Sequence, residues 1–516
     1  MSENPVRLRL LQPLERLRAA LTDPARADTA VLACLLVYWL LWTIYGTVTK
    51  TPQGYNQDMT ELIAWSRDLA LGYIKHPPLA AWITAAWFAV FPLTEFSYYL
   101  LAMVMPVAAL WIAWRLSADY LDLNKRVFGL ALLTLVPFFN FHALKYNVNT
   151  VLMPLWAVTT LWFLRSYRLR HAGYAALAGL GAAACMYGKY WSIFLLAGLV
   201  IVALIDRRRF AYFRSPAPWT TIAVGAAALA PHLVWLVHND FAPVAYARAA
   251  HLPKPFAEVA LSGLTYLAGS IAYVAIPLIA VAVAARPSAR TLADIAWPAD
   301  DDRRLAAAAF WAPLLLPIVG ALAGGMEITS LWSMSAWTLL PVLLLSSPRV
   351  RIGIGDMQRV LALALLLPFV AAALSPAIAH FTANASKPAQ SQQALLAAQV
   401  EREWHTITPQ PLRFVGGEMD LAYGVITYAA DRPHALPGLR PPSADVLKRD
   451  GMATVCRAEE SACVARAKAL AQAEPASRIV ESTIFRSASG HQTAPQRYTI
   501  VLVPPVLSLP PLGLSR

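Results

Sequence analysis

Charge is what this 516-residue chain lacks: 14% of its residues are Asp, Glu, Lys or Arg, where a soluble globular protein carries roughly 25%. That scarcity excludes a water-soluble fold over most of the length. Acids are scarcer than bases, 30 against 43, for a net charge of +13. A nucleic-acid partner would need this surplus gathered on a soluble face. Here it is divided among short loops between apolar runs, which points to membrane orientation and anionic lipid. Cysteine is nearly absent, at 4 residues. Cys34 and Cys185 fall inside apolar runs and read as plain core residues. No internal repeat is present, and the Ala/Leu runs are apolar segments rather than low-complexity linkers. A cleavable signal peptide is not expected either. The first 28 residues are Arg-rich and amphipathic, and Val31–Val48 reads as a retained span.

What is present is apolar surface in long runs. Hydrophobic residues make up 58% of the chain, with 17 Trp and 19 Tyr, rings that collect at membrane interfaces. A helix crosses a bilayer in about 20 apolar residues. Spans are expected near 30–48, 97–116, 127–144, 150–165, 172–187, 190–205, 218–237, 262–285, 305–323, 330–347 and 359–380, about eleven in all. Leu79–Phe91 is apolar but short and bounded by prolines, so an interfacial helix is expected there. The fold class is thus an all-α polytopic membrane protein.

Counting Lys and Arg in the short loops fixes an expected orientation. With the N-terminus inside, Arg115–Arg126, Arg165–Arg170, Arg207–Arg214, Arg286–Arg304 and Arg349–Arg359 all fall on the cytoplasmic side. The outer side receives loop one (49–96), the turns Lys145–Asn149, Tyr187–Tyr190 and Gly324–Thr329, the segment His238–Pro255, and everything after His380. The expected division is a cytoplasmic amphipathic segment 1–28, a membrane domain 29–382 and a soluble outer domain 385–516. The tail carries helical signal at 389–404 and 461–473. Strand signals lie at Leu412–Val415, Ala422–Tyr428, Arg478–Phe485 and Arg497–Val503, which suits a small α/β domain. Cys456 and Cys463, with six residues between them, are the tail's cysteines. Outside the cytoplasm they can form a disulfide, whereas a metal site needs more ligands than this pair supplies.

Loop one is the richest stretch. Between Gly54 and Leu79 it holds Asp58, Glu61, Arg67, Asp68, Lys75 and His76, and Pro77-Pro78 closes it. At the same expected depth lie Lys145, Tyr146, Asn147 and Asn149, then Tyr187, Lys189 and Tyr190, then His238, Asn239 and Asp240, and finally Glu327. Acids and bases from separate turns at one bilayer face suit a reaction of a lipid-borne anion. A carboxylate can take a proton from an attacking group, and Lys or His can hold a phosphate as it departs. Asp58 and Glu61 share a helical face if this segment is helical. Each residue also has a plainer reading. Lone loop acids are mostly solvated, Lys145 and Lys189 can snorkel to headgroups, and His238-Asn239-Asp240 suits a helix end. His76 before two prolines can simply start a helix, and His232, just after Pro231, can be a packed residue.

An outer loop holding Asp58, followed by His76-Pro77-Pro78-Leu79-Ala80-Ala81-Trp82, resembles the GT-C glycosyltransferases of the protein O-mannosyltransferase and lipid A aminoarabinose transferase group. That resemblance implies a polyprenyl-phosphate sugar donor and an acceptor on the outer face of a bacterial inner membrane, either lipid A, lipopolysaccharide core, another glycolipid or protein. It implies Asp58 as the catalytic carboxylate, with Glu61 as fallback, and His76, Lys145 and Lys189 near the donor phosphate. Asn147, Asn149, Tyr190 and Glu327 join them as substrate-binding candidates. Relatives commonly have an acid at the mouth of the span beginning near residue 150, where this chain has Asn147 and Asn149. The departure favours metal-independent transfer, so no cofactor or divalent metal is expected. Two other classes fit the same composition: a transporter or lipid flippase, against which the lack of acids within the spans counts, and a scaffold whose tail binds a partner.

Overall fold

The structure, a computed structural model, describes residues 5–383, 388–435, 443–488 and 491–506. The chain forms two compact units. The first comprises Met1–Ile44, Leu71–Ala80 and Phe96–Ala373, and the second Tyr45–Ala70, Ala81–Glu95 and Leu374–Arg516. Most of loop one belongs with the tail, while its Leu71–Ala80 segment, which carries His76-Pro77-Pro78, belongs with the helical unit.

The first unit is helical. Among the described residues five helices are long and apolar enough to cross a membrane, Ala27–Gln53, Glu95–Ser117, Ala217–His238, Asp301–Gly324 and Ile354–Thr382, and the pair Phe256–Tyr273 and Ala275–Ala285, bent by 57°, makes a sixth if it is one span. The expected spans at 172–187, 190–205 and 330–347 are shorter apolar helices. The expected span at 127–144 is not one helix. Leu123–Thr134 is followed by a 3-10 turn at Pro137–Phe139, because Pro137 has no N–H to continue the ladder. The Asn140 side-chain amide then donates to the Thr134 carbonyl at 3.0 Å, satisfying one of the orphaned helix-end acceptors. Leu79–Val90 is a helix of 12 residues, too short to cross a bilayer alone.

Val148–Leu169 and Ala217–His238 both pack on Ala172–Gly188. The second pairing relies on Gly179, where a Cβ would come within 2.5 Å of the Thr221 carbonyl oxygen. Small residues of this kind let helix backbones close up where apolar burial supplies no drive. The basic loops meet in a chain of ion pairs. Asp119 binds Arg165 and Arg168, Arg168 and Arg208 share Asp302, and Arg208 also holds Asp206. Arg303 pairs with Asp294 at 2.8 Å, and Asp294 accepts from Ser347 at 2.6 Å. The connections near residues 119, 165, 206, 300 and 347 therefore share one end of this unit.

In the second unit a five-stranded sheet runs His434–Ala435, Phe414–Gly417, Met452–Arg457, Gln496–Val503, Arg478–Ile484. The first three strands are parallel and the last two antiparallel to their neighbours. Alternation sorts the side chains onto two faces. Ala453, Val455, Ile500 and Leu502 pack with helices Gln393–His405 and Met419–Tyr428, while Met452, Cys456, Val501 and Val503 pack with helix Ser461–Ala473. Cys456 and Cys463 are disulfide-bonded, with Cα atoms 5.8 Å apart. The stretch Ala422–Tyr428, expected as a strand, is helical. It is a short apolar run buried nearly all round, a pattern that periodicity does not assign. The strand Met452–Arg457 had no matching expectation.

Candidate active site

The Leu71–Ala80 segment is held at both ends. Near its start, His232 Nδ1 lies 2.6 Å from the Leu71 carbonyl oxygen. A carbonyl can only accept, so Nδ1 carries the proton, and in the neutral ring Nε2 accepts from the Tyr190 hydroxyl at 2.9 Å. The Trp235 ring stacks on His232 at 5.9 Å and lies so close to Gly72 that a Cβ there would meet it at 2.3 Å. Only glycine lets this backbone approach. At the far end the Tyr146 hydroxyl donates to the Ala80 carbonyl at 3.3 Å. Between these anchors the loop doubles back, with the Tyr73 amide donating to the His76 carbonyl at 3.0 Å. Lys75 and His76 are thereby fixed beside the turns that carry Tyr146 and Tyr190, and both side chains are half-buried.

Lys189 occupies the break between helix Ala172–Gly188 and the turn Tyr190–Ser192. Its ammonium donates to Asn149 Oδ1 at 2.7 Å and sits 5.2 Å from the centre of the Trp332 ring, a cation–π contact worth about 0.5–2 kcal/mol. Asn147 has a structural task. Its side chain accepts from the amides of Asn149 and Thr150 at 2.9 and 3.3 Å, and Thr150 Oγ1 accepts from the Asn147 amide at 3.0 Å. This capping box starts helix Val148–Leu169. The positive end of that helix dipole adds to the Lys189 charge. An anion fits this corner.

Asp58 and Glu61 lie in the second unit, on helix Gln57–Ser66. Asn56 caps the helix, accepting from the Asp58 amide at 3.1 Å. Spacing of three residues puts both carboxylates on one face. Asp58 is half-buried and Glu61 is 2% exposed. The tail holds this helix in place. Trp65 Nε1 donates to the Tyr423 hydroxyl at 3.3 Å, Ala64 enters the tail's core, and Tyr55 stacks on Tyr428 at 5.6 Å.

The first unit thus brings Asn149 and Lys189 together directly, with Tyr190 next in the chain and bonded to His232, and His76 on the clamped loop. Lys145 is in the adjoining turn with its side chain exposed, and Glu327 is exposed in the loop after helix Asp301–Gly324. His238, Asn239 and Asp240 close helix Ala217–His238 as a helix end, Asp240 having φ 50°. Sequence reasoning gave no role to Trp332, Trp235 or His251, whose ring lies 6.0 Å from that of Trp332. Trp in such a chain reads as interface belt, and no local signal separates these rings from the rest. Among the described residues no group of three His, Cys, Asp or Glu side chains could hold a metal ion.

Comparison with known proteins adds three likenesses. The family described as dolichyl-phosphate-mannose-protein mannosyltransferase matches residues 75–235, from Lys75 through Trp235. A lipid A galacturonosyltransferase, RgtD of Rhizobium johnstonii, is 25% identical over 184 residues, a match that spans 34% of this chain and 37% of the relative. The fold is that of ArnT from Cupriavidus metallidurans. The crystal structure with undecaprenyl phosphate has a TM-score of 0.62 at 14% identity, covering 93% of this chain and 99% of that one. The apo structure scores 0.60 at 13% identity, covering 93% and 98%. The chain resembles the GT-C glycosyltransferases of the protein mannosyltransferase and lipid A aminoarabinose transferase group, in sequence around the His76 loop and in fold over nearly its whole length.

Proposed function

We propose that this chain is an integral membrane glycosyltransferase that moves one sugar from a polyprenyl-phosphate carrier to a hydroxyl of a periplasm-facing glycolipid of the lipid A type. It has about eleven bilayer crossings or re-entrant passes, an N-terminus in the cytoplasm and a tail in the periplasm. The acceptor oxygen attacks the anomeric carbon as the bond from that carbon to the phosphate oxygen breaks. The carrier leaves as polyprenyl phosphate and the anomeric centre inverts. Asp58 takes the hydroxyl proton, and Lys189, His76 and Lys145 hold the phosphate as its charge grows. No divalent metal takes part. The observation that carries this reading is the Lys189 ammonium on Asn149 and Trp332, next to turns that anchor the His76 loop. The bound carrier in the ArnT crystal structure and the name of the Rhizobium relative support the same donor and acceptor classes.

The test incubates purified protein with a radiolabelled polyprenyl-phosphate sugar and a lipid extract containing lipid A. Label in the lipid A band, matched by release of polyprenyl phosphate, is the expected result. Saturable uptake of labelled donor into vesicles with no label in any acceptor would make the chain a transporter.

A further inference from the structure

At the end of helix Gln57–Ser66 remote from Asp58, the second unit has an open cavity of about 670 Å³. Its polar lining comes from Ser66, Arg67, Thr427, Arg432 and His434, and its apolar lining includes Phe88, Phe91 and Leu93. No carboxylate is among the lining residues. Arg67 Nη1 donates to the Pro433 carbonyl at 2.6 Å, which fixes one edge of its guanidinium. Arg432 is exposed on the turn before the His434–Ala435 strand, where its backbone amide donates to the Ala429 carbonyl at 3.2 Å, and among the described residues its guanidinium has no hydrogen-bond or ion-pair partner. Each arginine has an acid beside it in the chain, and both acids are engaged elsewhere: Asp68 with His434 Nδ1 at 2.9 Å, and Asp431 with His405 Nε2 at 3.0 Å and the Leu412 amide at 2.7 Å. Burial, and then the like charge of Arg432, push the Arg67 guanidinium down to about 10, with Asp68 opposing.

Two cations facing one cavity without an acid between them repel each other until an anion enters. Guanidinium forks match phosphate oxygens, and paired contacts of this kind are the strong ones. A phosphate monoester carries a charge of about −1.5 to −2 at pH 7 and so balances both arginines, which a single carboxylate does not. Phe91 is 40% exposed and Leu93 38%, so the apolar wall continues to the surface as a track for hydrocarbon. We propose that this cavity binds the phosphate monoester of a lipid, with the phosphate at Arg67 and Arg432 and the chain carbons along Phe88, Phe91 and Leu93. None of these residues belongs to the donor-holding set, and the inference does not depend on the transferase reading.

The test uses the full-length protein in phosphatidylcholine nanodiscs, titrated calorimetrically with dioctanoyl phosphatidic acid. Dioctanoyl phosphatidylcholine and inorganic phosphate are the controls. Phosphatidic acid is expected to bind saturably, and both controls at least about 10-fold more weakly. Arg432→Asn tolerates the left-handed backbone there (φ 54°) and is expected to weaken phosphatidic acid about 10- to 100-fold with an unchanged thermal transition. Ala85→Phe, which fills the cavity from its apolar side, is expected to weaken it without touching a charge. Unaltered binding in both variants would overturn the site, and inorganic phosphate binding as tightly as phosphatidic acid would overturn the lipid.

Discussion

A carboxylate that serves as a base must be held but not neutralised, and the two acids of helix Gln57–Ser66 differ in this respect. Asp58 is half-buried in the first turn, whereas Glu61 is almost wholly covered. A carboxylate reachable from outside can meet an acceptor hydroxyl, while a buried one requires fixed partners and serves the packing around it. Asp58→Asn keeps the size and much of the hydrogen bonding but removes the base. Transfer is expected to fall about 10²- to 10⁴-fold with donor binding and membrane insertion retained. Glu61→Gln is expected to cost less in turnover and more in thermal stability. The check is single-turnover transfer together with donor binding for each variant. Wild-type turnover by Asp58→Asn on a hydroxyl acceptor would remove the assignment.

At the level of elements, the disulfide joins the end of strand Met452–Arg457 to the first turn of helix Ser461–Ala473. Both sulfurs are buried in the core beneath that helix. Closing so short a loop removes about 2–3 kcal/mol of unfolded-chain entropy. Replacing both cysteines with alanine should therefore lower the denaturant midpoint of the tail. Alkylation without reductant followed by mass spectrometry should find no free thiol in the wild-type peptide. Two cysteines so close in the tail were legible as a candidate pair from their spacing. The long apolar helices were legible for a similar reason, since length and hydropathy are local properties. The Ala422–Tyr428 helix was not, because a short run buried on all sides has lost the alternation that tells helix from strand. The clamp on the His76 loop was not legible either. His232 reaches the Leu71 carbonyl across 161 residues of sequence, and Gly72 shows no reason to be glycine until Trp235 is beside it. Loop one reads as one segment, yet its Leu71–Ala80 portion folds with the helices while its Asp58 helix is built into the tail's core.

On the scale of the whole molecule, the charge surplus acts as an orientation signal. A net +13 spread evenly would orient nothing. In the first unit, however, Arg165, Arg168, Arg208 and Arg303 converge through Asp119, Asp302, Asp206 and Asp294 on one end. The pairing leaves a basic excess there, since Arg170, Arg209 and Arg214 lie in the same loops and appear in none of these ion pairs. Lys and Arg in short loops are retained in the cytoplasm, so that end should face inward and the tail outward. The transferase reading depends on this, because polyprenyl-phosphate sugars are to be used on the outer face. Alkaline phosphatase fused after residue 390 should be active, and fused after Arg208 inactive. Green fluorescent protein at the same two points should give the complementary result. Activity after Arg208 together with silence at 390 would put the site residues on the cytoplasmic face. It would then require an acceptor and donor available there, and the periplasmic glycolipid would have to be abandoned as substrate.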